Sequence, residues 1–88
     1  PNTEFEFLAV EYPPGSSTGI EQYTHEGMEC TMILEGELEI ELGDHINRLK
    51  PGDSICFRST MPHRISNKNK KVAKAIVVNS EPFVFSTK

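Results

Sequence analysis

The chain has 88 residues and a net charge of −4, with 36% hydrophobic and 25% charged residues. This length is enough for one domain, and the composition is that of an ordinary globular protein. The negative charge argues against nucleic-acid binding by this segment alone, because phosphate binding needs a basic face. No apolar run approaches the roughly 20 residues that cross a bilayer, and the start has no secretory signal. We therefore expect a cytoplasmic protein without membrane contact.

The hydrophobic pattern has a period of two, and no convincing amphipathic helix occurs along the chain. Turn residues interrupt the pattern at 12–17, 26–27, 43–44, 50–53 and 68–71. In chain order, strands are predicted at Glu4–Val10, Glu29–Glu35, Glu37–Leu42, His45–Leu49, Ser54–Phe57, His63–Ser66 and Val72–Asn79. Many short strands with turns and no helix indicate an all-β sandwich or barrel.

The clearest strand alternates strictly between apolar and acidic residues over positions 37–42. Its apolar members, which we expect to face the core, are Leu38, Ile40 and Leu42. Its acidic members, which we expect to face water, are Glu37, Glu39 and Glu41. A one-residue change in register would reverse both sets, so the face is strongly specified.

The charges are unevenly distributed along the chain. Residues 1–44 contain ten Glu and one Asp but no Lys or Arg, whereas all nine Lys and Arg follow residue 44. We expect the two halves to interleave in one barrel and to pair acidic with basic strands. Residues 1–88 are therefore treated as a single domain. Since the chain begins without Met, we expect it to be a piece of a longer protein.

Cys30 and Cys56 lie in apolar, strand-like stretches. They form no CxxC pair and have no zinc-finger spacing. Two reduced, buried thiols are therefore expected, rather than a disulfide or a nucleophile.

Three polar side chains, Tyr23, His25 and Glu29, share the same parity and would point to one side of an extended chain. A second alternating segment carries His63. If the two segments are neighbours in a barrel, His25, Glu29 and His63 would converge and could hold a divalent metal or a polar ligand. Parity alone leaves the alternative open that each histidine is a surface or hydrogen-bonded residue.

At these positions the sequence resembles the cupin superfamily. The stretch Tyr23–Glu29, followed by Gly36, matches the first cupin motif from its second histidine onward. Gly52, His63 and Asn67 fall at the spacing of the second motif. The resemblance implies an all-β cupin barrel, also called a double-stranded β-helix or jelly roll.

The resemblance also implies a metal site. His25, Glu29 and His63 match three of the four metal ligands of the family, which would bind Zn, Ni, Fe or Mn. Tyr23 stands where the family has its first metal-binding histidine. Because a neutral phenol is a poor ligand for most divalent metals, we expect metal to be substoichiometric or absent. The four residues are then expected to line a pocket for a small organic ligand.

A narrower resemblance is to the C-terminal sensory domain of bacterial Xre-type regulators. It rests on the runs Tyr23–Glu29, Ile33–Glu39, Pro51–Ile55, Met61–Arg64 and Val77–Phe83. In that group a small cupin binds an effector, and a helix-turn-helix domain, absent from this chain, binds DNA. The resemblance therefore implies a transcriptional regulator whose DNA contact lies outside this segment.

Three hypotheses follow. The first is the effector-binding and dimerisation domain of a transcriptional regulator. The second is a stand-alone metal-dependent cupin enzyme, of the dioxygenase, isomerase or decarboxylase type, although no residue is assigned a catalytic role. The third is a structural cupin without a site. A homodimer is expected, with its contact at Phe5, Phe7 and Val10 or at Phe83 and Phe85.

Overall fold

The computed structural model describes residues 5–80, which form seven antiparallel strands and no helix. The strands are β1 (Phe5–Tyr12), β2 (Met28–Glu35), β3 (Leu38–Leu42), β4 (His45–Leu49), β5 (Ser54–Arg58), β6 (His63–Ser66) and β7 (Ala73–Ser80). The all-β prediction is confirmed, and the predicted ends differ from these by at most two residues. Within this range there is accordingly no helix of the length and apolarity that a membrane span requires.

The strands form two antiparallel sheets, with the orders β1-β7-β2-β5 and β4-β3-β6. Their inner faces share one apolar core, composed of Tyr12, Ile33, Leu38, Ile40, Leu49, Phe57, Ile65, Ala73 and Ala75. The inward prediction for β3 is confirmed, since Leu38 and Ile40 are 1% and 0% exposed and the half-buried Leu42 packs against the core. The prediction that Glu39 faces water is wrong, because its ion pairs with Arg48 and Lys68 leave it only 8% exposed. Each strand thus presents one set of alternate residues to the space between the sheets.

The outer face of the three-stranded sheet shows how the acidic and basic halves meet. The Glu39 carboxylate lies 3.2 Å from Arg48 Nε and 2.9 Å from Lys68 Nζ. The Glu41 carboxylate lies 2.8 Å from Arg64 Nη1. The Lys68 ammonium holds the pKa of the Glu39 carboxyl below its ordinary value, and the Arg64 guanidinium does the same for Glu41. The predicted interleaving of the two halves is therefore confirmed.

Two turns depend on glycine. Gly36 has a φ of 72°, and a Cβ there would lie 2.6 Å from the carbonyl oxygen of Val72. Gly27 has a φ of 95°, and a Cβ there would collide with the carbonyl oxygen of Ser80. Both positions exclude larger residues, because the positive φ disfavours a side chain and a Cβ would clash with the neighbouring backbone. The glycine that the sequence motif contributes at position 36 therefore lets the chain leaving β2 pack directly against the start of β7.

The prediction of two reduced, buried thiols is wrong. Cys30 and Cys56 are directly opposite each other in the β2–β5 ladder and form a disulfide, with their Cα atoms 4.0 Å apart. Cys56 is exposed and Cys30 is half-buried, because both point away from the core. Apolar neighbours along the two strands made the residues look buried, but the outer face of this sheet is itself apolar.

Candidate functional site

Two pairs of backbone hydrogen bonds hold the segment that precedes β2, one to the start of β6 and one to Ser59, the residue after β5. Tyr23 N–H donates to the His63 carbonyl at 2.9 Å, and His63 N–H donates back at 3.0 Å. His25 N–H donates to the Ser59 carbonyl, and Ser59 N–H donates to the Gly27 carbonyl. The segment is therefore fixed beside the start of β6, although it belongs to no regular strand.

This arrangement brings together the side chains of His25, Glu29 and His63. His25 Nε2 lies 3.4 Å from Glu29 Oε1, and His63 Nε2 lies 3.6 Å from the same oxygen. One ligand atom from each residue fits within a mutual distance of 4.8 Å. Glu29 comes from the four-stranded sheet and His63 from the three-stranded sheet, so the cluster joins the two. The convergence expected from parity is thus present, and a binding role for these residues stays a prediction.

Hydrogen bonds on the far side of each imidazole define its tautomer. His63 Nδ1 lies 2.8 Å from the Met61 carbonyl oxygen, and His25 Nδ1 lies 3.1 Å from the Glu26 carbonyl oxygen. A carbonyl only accepts, so each Nδ1 carries the hydrogen, and in the neutral ring the Nε2 atom keeps its lone pair. Both lone pairs therefore lie close to the Glu29 carboxylate, and three acceptor atoms share one space.

The cluster is closed on one side and open on the other. The side chains of His63 and Glu29 are 0% and 5% exposed, whereas that of His25 is 35% exposed. His63 Nε2 has no hydrogen-bond partner among the residues that the structure describes. Leaving such a buried acceptor unpaired costs about 1–3 kcal/mol. A cation or a ligand with hydrogen-bond donors, entering past His25, would remove that cost.

Aromatic rings frame the cluster. The Tyr23 ring stacks on His25 at a centroid distance of 5.9 Å and lies 4.4 Å from the His63 ring, while Phe57 lies 4.9 Å from His63. Burial raises the pKa of the Tyr23 phenol, and the negative charge of Glu29 adds to this. The phenol therefore keeps its proton at neutral pH and can donate a hydrogen bond there.

Three further inward-facing residues, Thr31, Asn79 and Tyr12, were missed by sequence reasoning. Thr31 and Asn79 are on the inner faces of β2 and β7, and each has a buried side-chain oxygen without a partner in residues 5–80. Asn79 is directly opposite Glu29 in the β2–β7 ladder. Burial, followed by the charges of Glu29 and Tyr23, raises the pKa of Tyr12 to about 12. Parity with Glu29 could have revealed Thr31, whereas the other two depend on the strand order.

Asn67, the last residue of the second motif, has a different role. Its side chain is fully buried, and its Nδ2 donates to the carbonyl oxygens of Tyr12 and Lys71, each at 2.8 Å. Its Oδ1 accepts from the N–H of Asn69 at 2.9 Å. These bonds join β1 to the turn before β7. Asn67 is therefore a structural residue of the barrel.

The donor set fits a divalent transition metal. Two imidazole nitrogens and a carboxylate oxygen suit Zn, Ni, Fe or Mn, and bonds of about 2.1 Å place neighbouring ligand atoms about 3.0–3.4 Å apart. The observed separations of 3.4 and 3.6 Å are close to this range. The Nδ1–carbonyl bonds behind His25 and His63 are the kind that orient metal-binding histidines. Because the neutral phenol of Tyr23 is a poor metal ligand, only His25, Glu29 and His63 would coordinate the ion.

Solved structures share this fold. The cupin domain of an XRE family transcriptional regulator from Enterobacter cloacae superposes with a TM-score of 0.80, at 22% identity, over 90% of this chain and 83% of that one. A predicted oxalate decarboxylase from Thermotoga maritima superposes with a TM-score of 0.75, at 31% identity, over 84% of this chain and 64% of that one. The fold therefore occurs in chains associated with regulation and with catalysis.

The sequence is similar to that of a transcriptional regulator and matches one protein-family model. The HTH-type transcriptional regulator PuuR from Escherichia coli is 30% identical over 76 residues, which are 86% of this chain. The chain spans 40% of the length of that relative. The family model described as Cupin_2, cupin domain, matches residues 8–79. The match includes the whole His25–Glu29–His63 cluster, and the chain belongs to the cupin family.

Proposed function

We propose that the chain is the sensory domain of a bacterial transcriptional regulator and binds a small polar organic effector. The observation that carries the proposal is the convergence of three acceptor atoms on one partly enclosed space, with His63 Nε2 buried and lacking a donor in residues 5–80. The similarity to PuuR and to an XRE family cupin domain supports the regulator class. Cytoplasmic localisation is part of the proposal.

The effector places its hydrogen-bond donors among His25, Glu29 and His63. Tyr23 borders the open side and supplies a phenol that donates to an acceptor on the same molecule. Because Glu29 and His63 belong to different sheets, a ligand held by both links the two sheets. An effector that binds one arrangement better than another shifts the population between them by that difference in affinity. A helix-turn-helix domain elsewhere in the longer protein makes the DNA contact.

A metal-dependent cupin enzyme is the second candidate. His25, Glu29 and His63 would hold the ion, which when bound acts as a Lewis acid on an oxygen of the substrate. The similarity to a predicted oxalate decarboxylase at 31% identity favours this alternative. Tyr23 would then orient the substrate by hydrogen bonding at the open side.

Thermal unfolding of the purified chain tests effector binding. With EDTA present, the chain is screened against amino acids, amines, sugars and carboxylic acids. A true effector at 100 times its Kd raises Tm by about 15 °C for a domain of this size. Glu29→Gln abolishes this shift, whereas the matched control Glu35→Gln, an exposed residue of the same strand, preserves it. A panel without any shift dependent on Glu29 would contradict the proposal.

The reading frame upstream of Pro1 tests the regulator class separately. About 70 or more residues containing a helix-turn-helix establish the proposed division of labour. A start codon immediately before Pro1 would instead favour the enzyme or a stand-alone binding protein.

A further inference from the structure

The Cys30–Cys56 disulfide joins two residues that already face each other across a ladder. β2 and β5 form five register pairs, from Met28 opposite Arg58 to Met32 opposite Ser54, and the cysteines are the central pair. Their Cα atoms are 4.0 Å apart although 26 positions separate them in the sequence. The ladder therefore positions both sulfurs whether or not they are bonded.

β5 is an edge strand. In the order β1-β7-β2-β5 its only ladder within residues 5–80 is the one with β2. An edge strand lacks the hydrogen bonds of a second neighbour, so its local opening depends on the single ladder that it has. The disulfide at the centre of that ladder is thus the covalent link that holds β5 to the sheet.

The opposite face of the same ladder carries the candidate site. Glu29 and Phe57, the inward neighbours of the two cysteines, are themselves a register pair. Glu29 provides the carboxylate of the cluster, and Phe57 packs against the His63 ring at 4.9 Å. The disulfide therefore reinforces the wall of the barrel directly behind the site.

We propose that Cys30–Cys56 is a reversible thiol–disulfide exchange site whose redox state controls the opening of β5 and so the rigidity of the site wall. The exchange itself stands on the geometry of the ladder alone. That the redox state acts as a second signal, besides the effector, to the sensory domain rests on the proposed function.

The reaction requires a dithiol reductant, such as a thioredoxin-type protein or dithiothreitol. One reductant thiolate attacks the exposed sulfur of Cys56, which forms a mixed disulfide and releases Cys30 as a thiolate that takes up a proton. The second reductant thiolate then attacks the mixed disulfide, closes the disulfide of the reductant and releases Cys56, which is also protonated. Two electrons and two protons pass from the reductant to the protein.

Surface position and charge favour this exchange. Cys56 is exposed and Cys30 half-buried, so the sulfur that is attacked is accessible without unfolding. Arg58 lies two residues after Cys56 on β5 and faces the same outer side of the sheet. Its positive charge attracts an anionic thiolate. After reduction the backbone ladder keeps the two thiols adjacent, so an oxidised dithiol restores the bond by the reverse steps.

The test is native-state reduction of the intact chain. The protein is incubated with dithiothreitol at neutral pH without denaturant and alkylated with iodoacetamide, and the adducts are counted by mass spectrometry. We expect both cysteines to be alkylated, and neither after reoxidation with oxidised dithiothreitol. In the reduced protein, amide hydrogen exchange in residues 54–58 should accelerate about tenfold relative to β1 and β7.

Two variants separate this proposal from the proposed function. The double substitution Cys30→Ser and Cys56→Ser should show fast exchange in β5 that dithiothreitol does not alter. His63→Ala should undergo the same reduction as the unmodified chain even when effector binding is lost. Alkylation only in denaturant, or equal β5 protection in the oxidised and reduced protein, would overturn the proposal.

Discussion

Tyr23 is the residue at which this chain departs most clearly from the metal-binding pattern of its family. Its ring packs against both imidazoles, with centroids 5.9 Å from His25 and 4.4 Å from His63. Burial keeps the pKa of its phenol above the ordinary value, and a protonated phenol donates hydrogen bonds more readily than it coordinates. We therefore expect metal to bind weakly here and an organic molecule to be the main ligand.

Metal content tests this assignment. After ordinary purification, elemental analysis should find well under one Zn, Ni, Fe or Mn per chain. Added Zn²⁺ should bind weakly, and His63→Ala should reduce that affinity by about 100-fold because it removes a direct ligand. The matched control is His45→Ala, since His45 is exposed on β4 and does not belong to the cluster. Circular dichroism should show that both variants retain the fold.

The opposite outcome is equally informative. About one tightly held transition metal per chain, lost in His25→Ala or His63→Ala but not in His45→Ala, would contradict the organic-effector assignment. It would favour the metal-dependent enzyme.

At the scale of single elements, the strands could be predicted because their pattern is local. Alternation in β3 and glycine or proline in the turns depend on adjacent residues, and the structure reproduces them. The environment of Cys30 and Cys56 could not be predicted in this way. The four-stranded sheet carries apolar side chains such as Met32 and Ile76 on its outer face as well, so hydrophobicity alone did not distinguish the inner face from the outer.

In the candidate site, too, some residues could be predicted from the local sequence and others could not. The spacing of His25, Glu29 and His63 could be recognised from the sequence, as could the parity that places Glu29 inward. The neighbours Tyr12 and Asn79 could not, because they reach Glu29 only through the order β1-β7-β2, which long-range pairing determines.

The ion pairs on the three-stranded sheet make stability depend on pH. Lys68 first, and then Arg48, hold the pKa of Glu39 below its value in the unfolded chain. The stabilisation is therefore complete above the unfolded pKa and is lost as pH falls through the folded one. Urea unfolding should show a decline in the free energy of unfolding below about pH 5, and Glu39→Gln should make that decline shallower. Glu37→Gln, at an exposed position before β3, is the control; an equal slope in all three proteins would contradict the assignment.

At the scale of the whole molecule, the outer face of the four-stranded sheet exposes a large apolar surface. Phe7 and Phe5 on β1 are 72% and 53% exposed. Of the other residues considered for a dimer contact, Val10 packs against the barrel's own core, and Phe83 and Phe85 lie outside the described residues. Exposed aromatic side chains at a sheet edge are typical of a surface that a second copy covers.

We therefore expect a homodimer that uses the β1 side of this face. Light scattering at tens of micromolar should give twice the chain mass, and Phe7→Glu should give the monomer mass because it places a charge in the contact. Ile46→Glu, on the other sheet and 58% exposed, should leave the dimer intact. β5 is at the opposite edge from β1, about 14 Å away across three strand spacings, so this contact leaves Cys56 accessible. A monomer mass for the unmodified chain would count against the dimer.

The charge arrangement of the whole barrel bears on DNA binding. The net charge is −4, and basic residues of the second half are already committed to acidic residues of the first, as Lys74 is to Glu11 and Glu35. Neutralising several phosphates requires a continuous basic face, and each contact contributes to a steep salt dependence. This segment alone should consequently show no measurable affinity for duplex DNA at physiological salt in a fluorescence anisotropy titration. Tight, salt-sensitive binding to an operator would mean that the barrel itself contacts DNA, contrary to the division between a sensory cupin and a separate helix-turn-helix domain.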